Sequence, residues 1–455
     1  EALQQGVGKG LRVATIVSSG FAETGSSEGR ALQDELLSFS RQHGTRLVGP
    51  NCFGWVAVPT ATVAVAYERM PEIRPGPLSL LSQSGGAVPL IMQATLERGL
   101  GWRYAISMGN AADFSWAEAV EMLSRDPGTR VICLLLEGAG NWRRFLDACR
   151  DAVQRGVGVV VLKVGRSRLG QQAALTHTGN LAGEYRAFAA ALREVGGILV
   201  ETIDEMVDVA DLLACGCTPS GTRIGMLVTS GNLRAMAYDA AESSGVLLPS
   251  LSPETVEELQ TLLGVDGVAG NPVDGGFMAL TNTPLYCRIV DVLMSDPQVD
   301  VLAIFGKLED RFAERWRHVA SQSRRLGRPT VLFGRVSLNS SDEALRIKEQ
   351  VGLPFVPTLE RALRAVRLIA ESRPHPQLRE QGRASGRGRS QRSGRLAEVR
   401  SGLESLRQAL REKTVLGEYE AKRLLAGLGV SVTKELLAIR VEDAVRAAEQ
   451  LGYPV

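Results

Sequence analysis

The sequence predicts an α/β protein built on parallel, doubly wound sheets. Three observations predict it. Short apolar runs such as "VICLLLEG" and "VGVVVLKVG" alternate with stretches of helical length, and strands covered on both faces read as such unbroken runs. The runs end in small-residue turns, and the 455 residues include 49 glycines but only 5% aromatics, a balance that suits tight strand–helix turns. With 44% hydrophobic residues the chain can bury a large core, and its length suits about three domains at ~150 residues each.

The elements follow in order. In a first block, 1–72, Val13 to Val17 read as a buried strand ended by "SSGF". A helix at 27–43, the strand "RLVG" and the turn "PNCFG" come next. This pattern is half of a parallel αβ unit. The second block, 76–218, alternates cleanly: "LSLLS" then a helix from Ser84, "YAISMG" then 114–124, "VICLLLEG" then 141–155, "VGVVVLKVG" then 185–195, and "ILVET" then 204–214. The third block, 222–371, repeats the logic with "RIGMLVTSG" then 232–244, "VDVLAIFG" then 310–325, and "PTVLFG" then 340–350. Residues 372–412 read as an Arg-rich linker. Their stretch 373–400 holds eight arginines against two acids, a composition that cannot bury enough apolar surface to order itself. From 413 a helix, a strand and a helix open a further domain. Glu1 at one end and "LGYPV" at the other lead us to expect a chain cut at both ends.

Composition narrows the function. A net charge of +2 gives no overall attraction to nucleic acid or acidic membranes. Six cysteines in so long a chain are no disulfide framework and read as reduced thiols of a cytoplasmic protein. No apolar run reaches the roughly 18 residues that span a bilayer, and no signal peptide or metal-ligand cluster is apparent.

Three stretches share one device. "LLSQSGGAVPL" (80–90), "LVTSGNLRAM" (227–236) and "LTHTGNLAG" (175–183) each place hydroxyl and glycine residues just past a buried strand. The first two lead into helices, whose N-termini expose backbone N–H groups and the positive end of the dipole, so they can hold phosphate. Ser82, Ser84, Gly85, Gly86, Ser230 and Gly231 would add hydroxyl donors and close backbone approach. Each taken alone also reads as an ordinary helix cap. His177 is one of only four histidines. It sits among Thr176, Thr178 and Gly179 in a small polar loop, where a packing residue would be larger and periodic. Glu137 ends the strand "VICLLLEG", and ligands of doubly wound sheets sit outside such ends. A carboxylate beside an imidazole fixes its tautomer and supports its cationic form, which would make His177 a nucleophile toward phosphorus. A solvated strand end and a plain loop histidine are the alternative on spacing alone.

Taken in order, "SSGFAETG", "GPNCFG", "SQSGGA", "SMGNAAD", "LLLEG", "VVLKVGRS", "THTGNLAG", "VTSGN" and "NPVD" resemble the NDP-forming acyl-CoA synthetases, which include ADP-forming acetate–CoA ligase and are related to succinyl-CoA synthetase. The resemblance implies a Rossmann-type CoA-binding domain (1–72), two flavodoxin-like domains (76–218 and 222–371) and the opening of an ATP-grasp domain (413–455). It implies that His177 is phosphorylated during turnover, that Glu137 holds it, and that the "SQSG" and "TSG" helix starts and the Thr178–Gly179 turn cradle the phosphoryl group. It points to Ser19, Asn51 and Cys52 as neighbours of CoA. It implies a small carboxylic acid or acyl-CoA, phosphate, and ATP or ADP with Mg2+ at an ATP-grasp part or subunit, in an oligomeric enzyme. Two residues depart from the family's usual pattern: Ala111 in place of lysine in "GNKAD", and Asn232 in place of glycine in "SGG". The competing expectation is a catalytically silent CoA-binding or acyl-CoA-sensing scaffold, as in protein acetyltransferase fusions, and a third is a degraded gene fragment.

Overall fold

The computed structural model describes residues 2–67, 70–167, 169–170, 185–334, 341–372, 417–427 and 432–452. The expected unpacked segment 373–400 lies outside them, as do His177, Thr178 and Gly179. The chain divides into two compact units, one ending at Pro374 and the other beginning at His375.

The first unit opens with helix α1 (Ala2–Val7) and a two-stranded parallel sheet of β1 (Val13–Thr15) and β2 (Arg46–Val48) joined through α2 (Ser27–His43). Ser26 caps α2 by accepting the Gly29 N–H at 2.9 Å, and Gly44, at φ 68°, ends it in the left-handed region that glycine adopts without strain. A short antiparallel hairpin, β3 (Gly54–Ala57) and β4 (Thr62–Val65), follows.

The expected second block is β5 (Pro75–Ser82), α3 (Ala87–Leu96), β6 (Trp102–Ser107), α4 (Trp116–Arg125), β7 (Val131–Leu136), α5 (Trp142–Gln154), β8 (Gly158–Lys163), α6 (Tyr185–Glu194), β9 (Ile198–Val200) and α7 (Ile203–Ala214). The helix read as starting at Ser84 starts instead at Ala87, because Gln83–Gly86 form a turn. The sheet order is β4-β3-β6-β5-β7-β8-β9. Strands β5 to β9 are parallel and lie in the flavodoxin-like order 2-1-3-4-5. The hairpin adds two antiparallel strands at the β6 edge. Every residue of β7 is buried, as a central parallel strand covered on both faces requires.

The third block is β10 (Ile224–Val228), α8 (Gly231–Ser244), α9 (Pro253–Leu263), β11 (Val273–Asp274), α10 (Gly276–Thr281), α11 (Thr283–Ser295), β12 (Val301–Phe305), α12 (Ala313–Leu326), β13 (Thr330–Phe333), α13 (Asp342–Val351), β14 (Phe355–Val356) and α14 (Leu359–Ser372). Its order, β11-β10-β12-β13-β14, is again 2-1-3-4-5 and all parallel. The two blocks are therefore two copies of one topology. They share a core: α14 packs on α7 and α8, and one apolar cluster runs from Leu78 and Ile91 through Met206 to Met226, Val301 and Val366.

Charge reinforces that junction. Arg98, just past α3, pairs with Asp208 at 3.0 Å and Asp211 at 3.5 Å on α7, and also donates to the Phe355 carbonyl. Lys348 of α13 reaches Asp211 at 2.7 Å and the Arg98 carbonyl at 2.7 Å. Arg361 of α14 closes on Asp208 at 2.6 Å. Asp211 is 0% exposed, so its charge is tolerated only because it is paired and hydrogen-bonded.

Burial also pushes the Cys133, Cys149 and Cys217 thiols up to about 12. In the unfolded chain a thiol ionises near 8.5. Below that pH both states keep the proton and the thiols have no effect. Above it only the unfolded state loses protons, so stability should fall with rising pH, by up to about 1.4 kcal/mol per pH unit per thiol. Denaturant midpoints between pH 8 and 10 measure this, and the slope should shrink in Cys133→Val. An unchanged slope in that variant would mean the thiol is not excluded from water.

In the second unit, α15 (Glu418–Gly427) and α16 (Val441–Leu451) are described, with Lys422 paired to Glu418 at 2.7 Å.

Candidate functional site

In the 2-1-3-4-5 order the strand direction of build-up reverses between the first and third strands, here β5 and β7, and ligands bind outside the C-terminal ends at that point. Ser82, Ser84, Gly85 and Gly86, at or just past the end of β5, and Glu137, just past β7, lie there, while His177, Thr178 and Gly179 fall outside the described residues and Ser230 and Gly231 belong to the third block. β5 ends at buried Ser82, whose Oγ donates to the Ser84 carbonyl at 2.6 Å. The Gln83 N–H donates to the Leu135 carbonyl of β7 at 2.8 Å. Helix α3 then starts with no side-chain cap. Its first N–H groups carry the positive end of the dipole and suit an anion. A Cβ built on Gly86 would meet nothing within 4 Å, so the backbone is open to close approach.

Gly85 is constrained differently. A Cβ there would fall on the Phe53 ring, which stacks on Tyr67 with centroids 4.8 Å apart, while the Tyr67 hydroxyl donates to the Gly85 carbonyl. Gly85→Ala should therefore force the ring aside and cost about 1–3 kcal/mol, the range for an overpacked site. A drop in the denaturant midpoint measures it. Unchanged stability would mean that the Phe53 ring swings away freely.

Glu137 stands immediately after β7, and both peptide groups flanking it are fixed. Its N–H donates to Gln83 Oε1 at 2.8 Å, and the Gly138 N–H to the same atom at 3.2 Å. Its carbonyl accepts from Lys163 Nζ at 2.8 Å. Lys163, the last residue of β8, is 3% exposed and lies 5.9 Å from the Trp142 ring centroid and 5.8 Å from that of Phe188. Burial lowers its pKa, and the negative charge of Glu137 opposes that shift. Sequence reading passes over both Gln83 and Lys163. Only the adjacency of three strand ends reveals them, although a lysine closing an otherwise apolar strand is a visible signal.

The residues expected beside CoA converge from the first block. Asn51, at φ 56°, donates its N–H to the Ser18 carbonyl at 3.0 Å, which ties the turn to the exposed Ser18–Gly20 loop that holds Ser19. Its side chain reaches Asn110 Oδ1 at 3.5 Å, and Asn110 in turn donates to Glu23 at 2.5 Å and Gln33 at 3.0 Å. Burial raises the Glu23 pKa, but the bonds from Asn110 and from the Gly20 and Phe21 N–H groups outweigh it, and the carboxyl is held below its usual range. Cys52 is 1% exposed, with Sγ toward the Ile16 and Val48 carbonyls. Burial pushes the thiol up, so it supports the turn from beneath. Asp113 stitches this turn to the second block by accepting from the Leu47 N–H at 2.8 Å and pairing with Arg46 at 2.9 Å. Ala111, the departure in "GNAAD", lies at φ 48°.

At the equivalent point of the third block, Ser230 accepts the Leu233 N–H at 3.4 Å, so its hydroxyl caps its own helix. Gly231 beside it faces open space. Asn271 of "NPVD" braces β10: its Oδ1 accepts from Met226 N–H at 3.0 Å and its Nδ2 donates to the Ile224 carbonyl at 2.8 Å.

Comparisons with known proteins show what this chain is similar to. The family model described as "Succinyl-CoA ligase like flavodoxin domain" matches residues 75–213. An ADP-forming acetate–CoA ligase of Archaeoglobus fulgidus is 30% identical over 98% of this chain and 62% of its own length. The alpha subunit of an ADP-forming acetate–CoA ligase of Pyrococcus furiosus is 31% identical over 79% of this chain and 77% of its own. A solved acetyl-coenzyme A synthetase of Ca. Korarchaeum cryptofilum, in complex with phosphate and ADP, superposes with a TM-score of 0.70 at 25% identity, over 81% of this chain and 80% of that one. The chain thus spans 62% of the length of the Archaeoglobus relative. It belongs to the family of ADP-forming acyl-CoA synthetases that includes the ADP-forming acetate–CoA ligases.

Proposed function

We propose that the protein interconverts acyl-CoA, ADP and phosphate with a carboxylic acid, CoA and ATP through a phosphohistidine at His177. The observation that carries the reading is the grip of Gln83 on the Glu137 strand end. It joins the uncapped helix start of the "SQSG" turn to the carboxylate expected to hold the histidine, at the switch point of a parallel sheet.

In the first step a phosphate oxygen attacks the thioester carbonyl and the CoA thiolate leaves, giving an acyl phosphate. The α3 start, with Ser82, Ser84, Gly85 and Gly86, holds the phosphoryl oxygens, and CoA lies against the loops of Ser19, Asn51 and Cys52. An imidazole nitrogen of His177 then attacks phosphorus and the carboxylate leaves. Glu137 stabilises the imidazolium character that develops. The phosphoryl group, flanked by Thr178 and Gly179, next passes to ADP, with the Ser230–Gly231 helix start as the second cradle. Such transfer depends on positioning and fixed dipoles more than on many acids and bases. In this reading 1–72 is the CoA-binding part, 76–218 and 222–371 are the ligase domains, 372–412 is a linker and 413–455 opens an ATP-grasp part where Mg2+ accompanies the nucleotide. The description of one relative as an alpha subunit supports a two-part oligomeric enzyme. The buried thiols and the lack, among the described residues, of a helix long and apolar enough to cross a membrane support our placing it in the cytoplasm.

ATP formation from ADP, phosphate and acetyl-, propionyl-, isobutyryl- or phenylacetyl-CoA by the full-length protein tests this. Turnover with at least one thioester is expected. CoA binding with no turnover on any of them would favour the silent scaffold.

A further inference from the structure

Three neighbouring strand ends act on one residue. Gln83 after β5 and Lys163 at the end of β8 hold Glu137, after β7, from its two sides. Gln83 is a neutral acceptor and is cheap to place in a turn. Lys163 is not cheap. The rest of β8 is "GVVVL", and an apolar residue at 163 would continue the strand without cost. An ammonium there loses its water and needs compensation. It finds that compensation in the Glu137 carbonyl at 2.8 Å, the Val164 carbonyl at 3.3 Å, and the Trp142 and Phe188 rings. The two carbonyls take two of its three N–H donors, and the charge of Glu137 acts on it as well. The polypeptide also leaves β8 directly into the stretch that contains His177.

We infer that Lys163 is a positioning residue of the phosphoryl relay, fixing the Glu137 strand end so that its carboxylate stands where the histidine needs it. The inference rests on the phosphohistidine reading above. Lys163 acts through Glu137 and leaves the CoA loops untouched. Its loss should therefore lower the rate of histidine phosphorylation while the KM for acyl-CoA stays unchanged.

The test is a double-mutant cycle. Wild type, Lys163→Met, Glu137→Gln and the double variant are incubated with radiolabelled inorganic phosphate and whichever of the four thioesters above the wild type turns over fastest, and the acid-labile, base-stable label is followed. Lys163→Met alone should slow labelling about 10- to 100-fold, the size of one charge-assisted hydrogen bond. In the Glu137→Gln background it should slow labelling by less than about threefold further, because the group it positions has gone. Lys163→Gln replaces Lys163→Met if the latter does not fold, as judged by its thermal transition. Equal slowing in both backgrounds overturns the inference and makes Lys163 a direct partner of the phosphoryl group. So does unchanged labelling in Lys163→Met, or a raised KM. If Glu137→Gln labels at the wild-type rate, or wild type takes no label, the phosphohistidine reading fails and the role of Lys163 falls with it. If Glu137→Gln slows labelling while Lys163→Met does not, only the inference about Lys163 falls.

Discussion

Replacing His177 with asparagine should abolish histidine phosphorylation and lower ATP-forming turnover by about 10^4-fold or more, the scale seen when a covalent nucleophile is removed. Asparagine keeps a polar side chain of moderate size in the "THTGN" loop but has no nitrogen that can take a phosphoryl group. CoA should still bind within about a factor of two, less than about 0.5 kcal/mol, because the loops of Ser19, Asn51 and Cys52 belong to other elements. Full turnover in His177→Asn would mean that the acyl phosphate passes its phosphoryl group directly to ADP. Loss of CoA binding in the same variant would make His177 a structural residue whose removal disturbs the domain.

Asp211→Asn should cost about 3–5 kcal/mol, the penalty for breaking a buried ion pair by removing one partner. Asp211 faces Arg98 and Lys348 together and accepts the Phe355 N–H at 3.3 Å. The asparagine leaves Lys348 without its carboxylate and Arg98 with Asp208 alone, at a site with almost no water. The exposed pair Arg346–Asp310, at 2.7 Å, is the control: Arg346→Ala should leave the denaturant midpoint nearly unchanged, because water screens the pair. Denaturant titration of both variants decides. Hydrogen exchange should quicken first in α7 and α13, which the network joins. A loss below about 1 kcal/mol for Asp211→Asn would mean that water reaches the junction.

The longer strands of the two doubly wound sheets are legible because a parallel strand covered on both faces must be apolar along its length, as in "VICLLL" and "IGMLV", whereas β11 and β14, two residues each, are too short to give such a run. The hairpin 54–65 is not, because its role is to extend the next block's sheet, and neither its burial nor its partner shows in "GWVAVPTATVAV". Three long helices of the third block go unpredicted although their signals are present. Ser252 and Pro253 open α9 as cap and first residue, and Asn282 caps α11 with Pro284 as its second residue. Leu363, Val366 and Ile369 give α14 its buried stripe. At the site, Ser82, Gly85 and Glu137 can be named because they stand in quotable motifs at or just past the end of an apolar strand. The shared role of Gln83 and Lys163 cannot, since they are 80 residues apart in number and meet at Glu137 only through the order β5-β7-β8. The Arg98 network is equally hidden, as its members come from α7, α13 and α14. Ser230 reads as either a cap or a cradle, and its bond to Leu233 uses the hydroxyl as a cap.

Locating the phosphate decides most. The full-length protein would be incubated with phosphate and whichever of the four thioesters it turns over fastest, digested at neutral to alkaline pH, and sequenced by tandem mass spectrometry, with 31P NMR of the intact protein in parallel. A single phosphoramidate on His177, discharged to ATP when ADP is added, is the predicted result. A phosphate on Ser82, Ser84, Ser230 or Glu137, or no phosphoprotein at all while ATP is being made, would contradict a relay through His177.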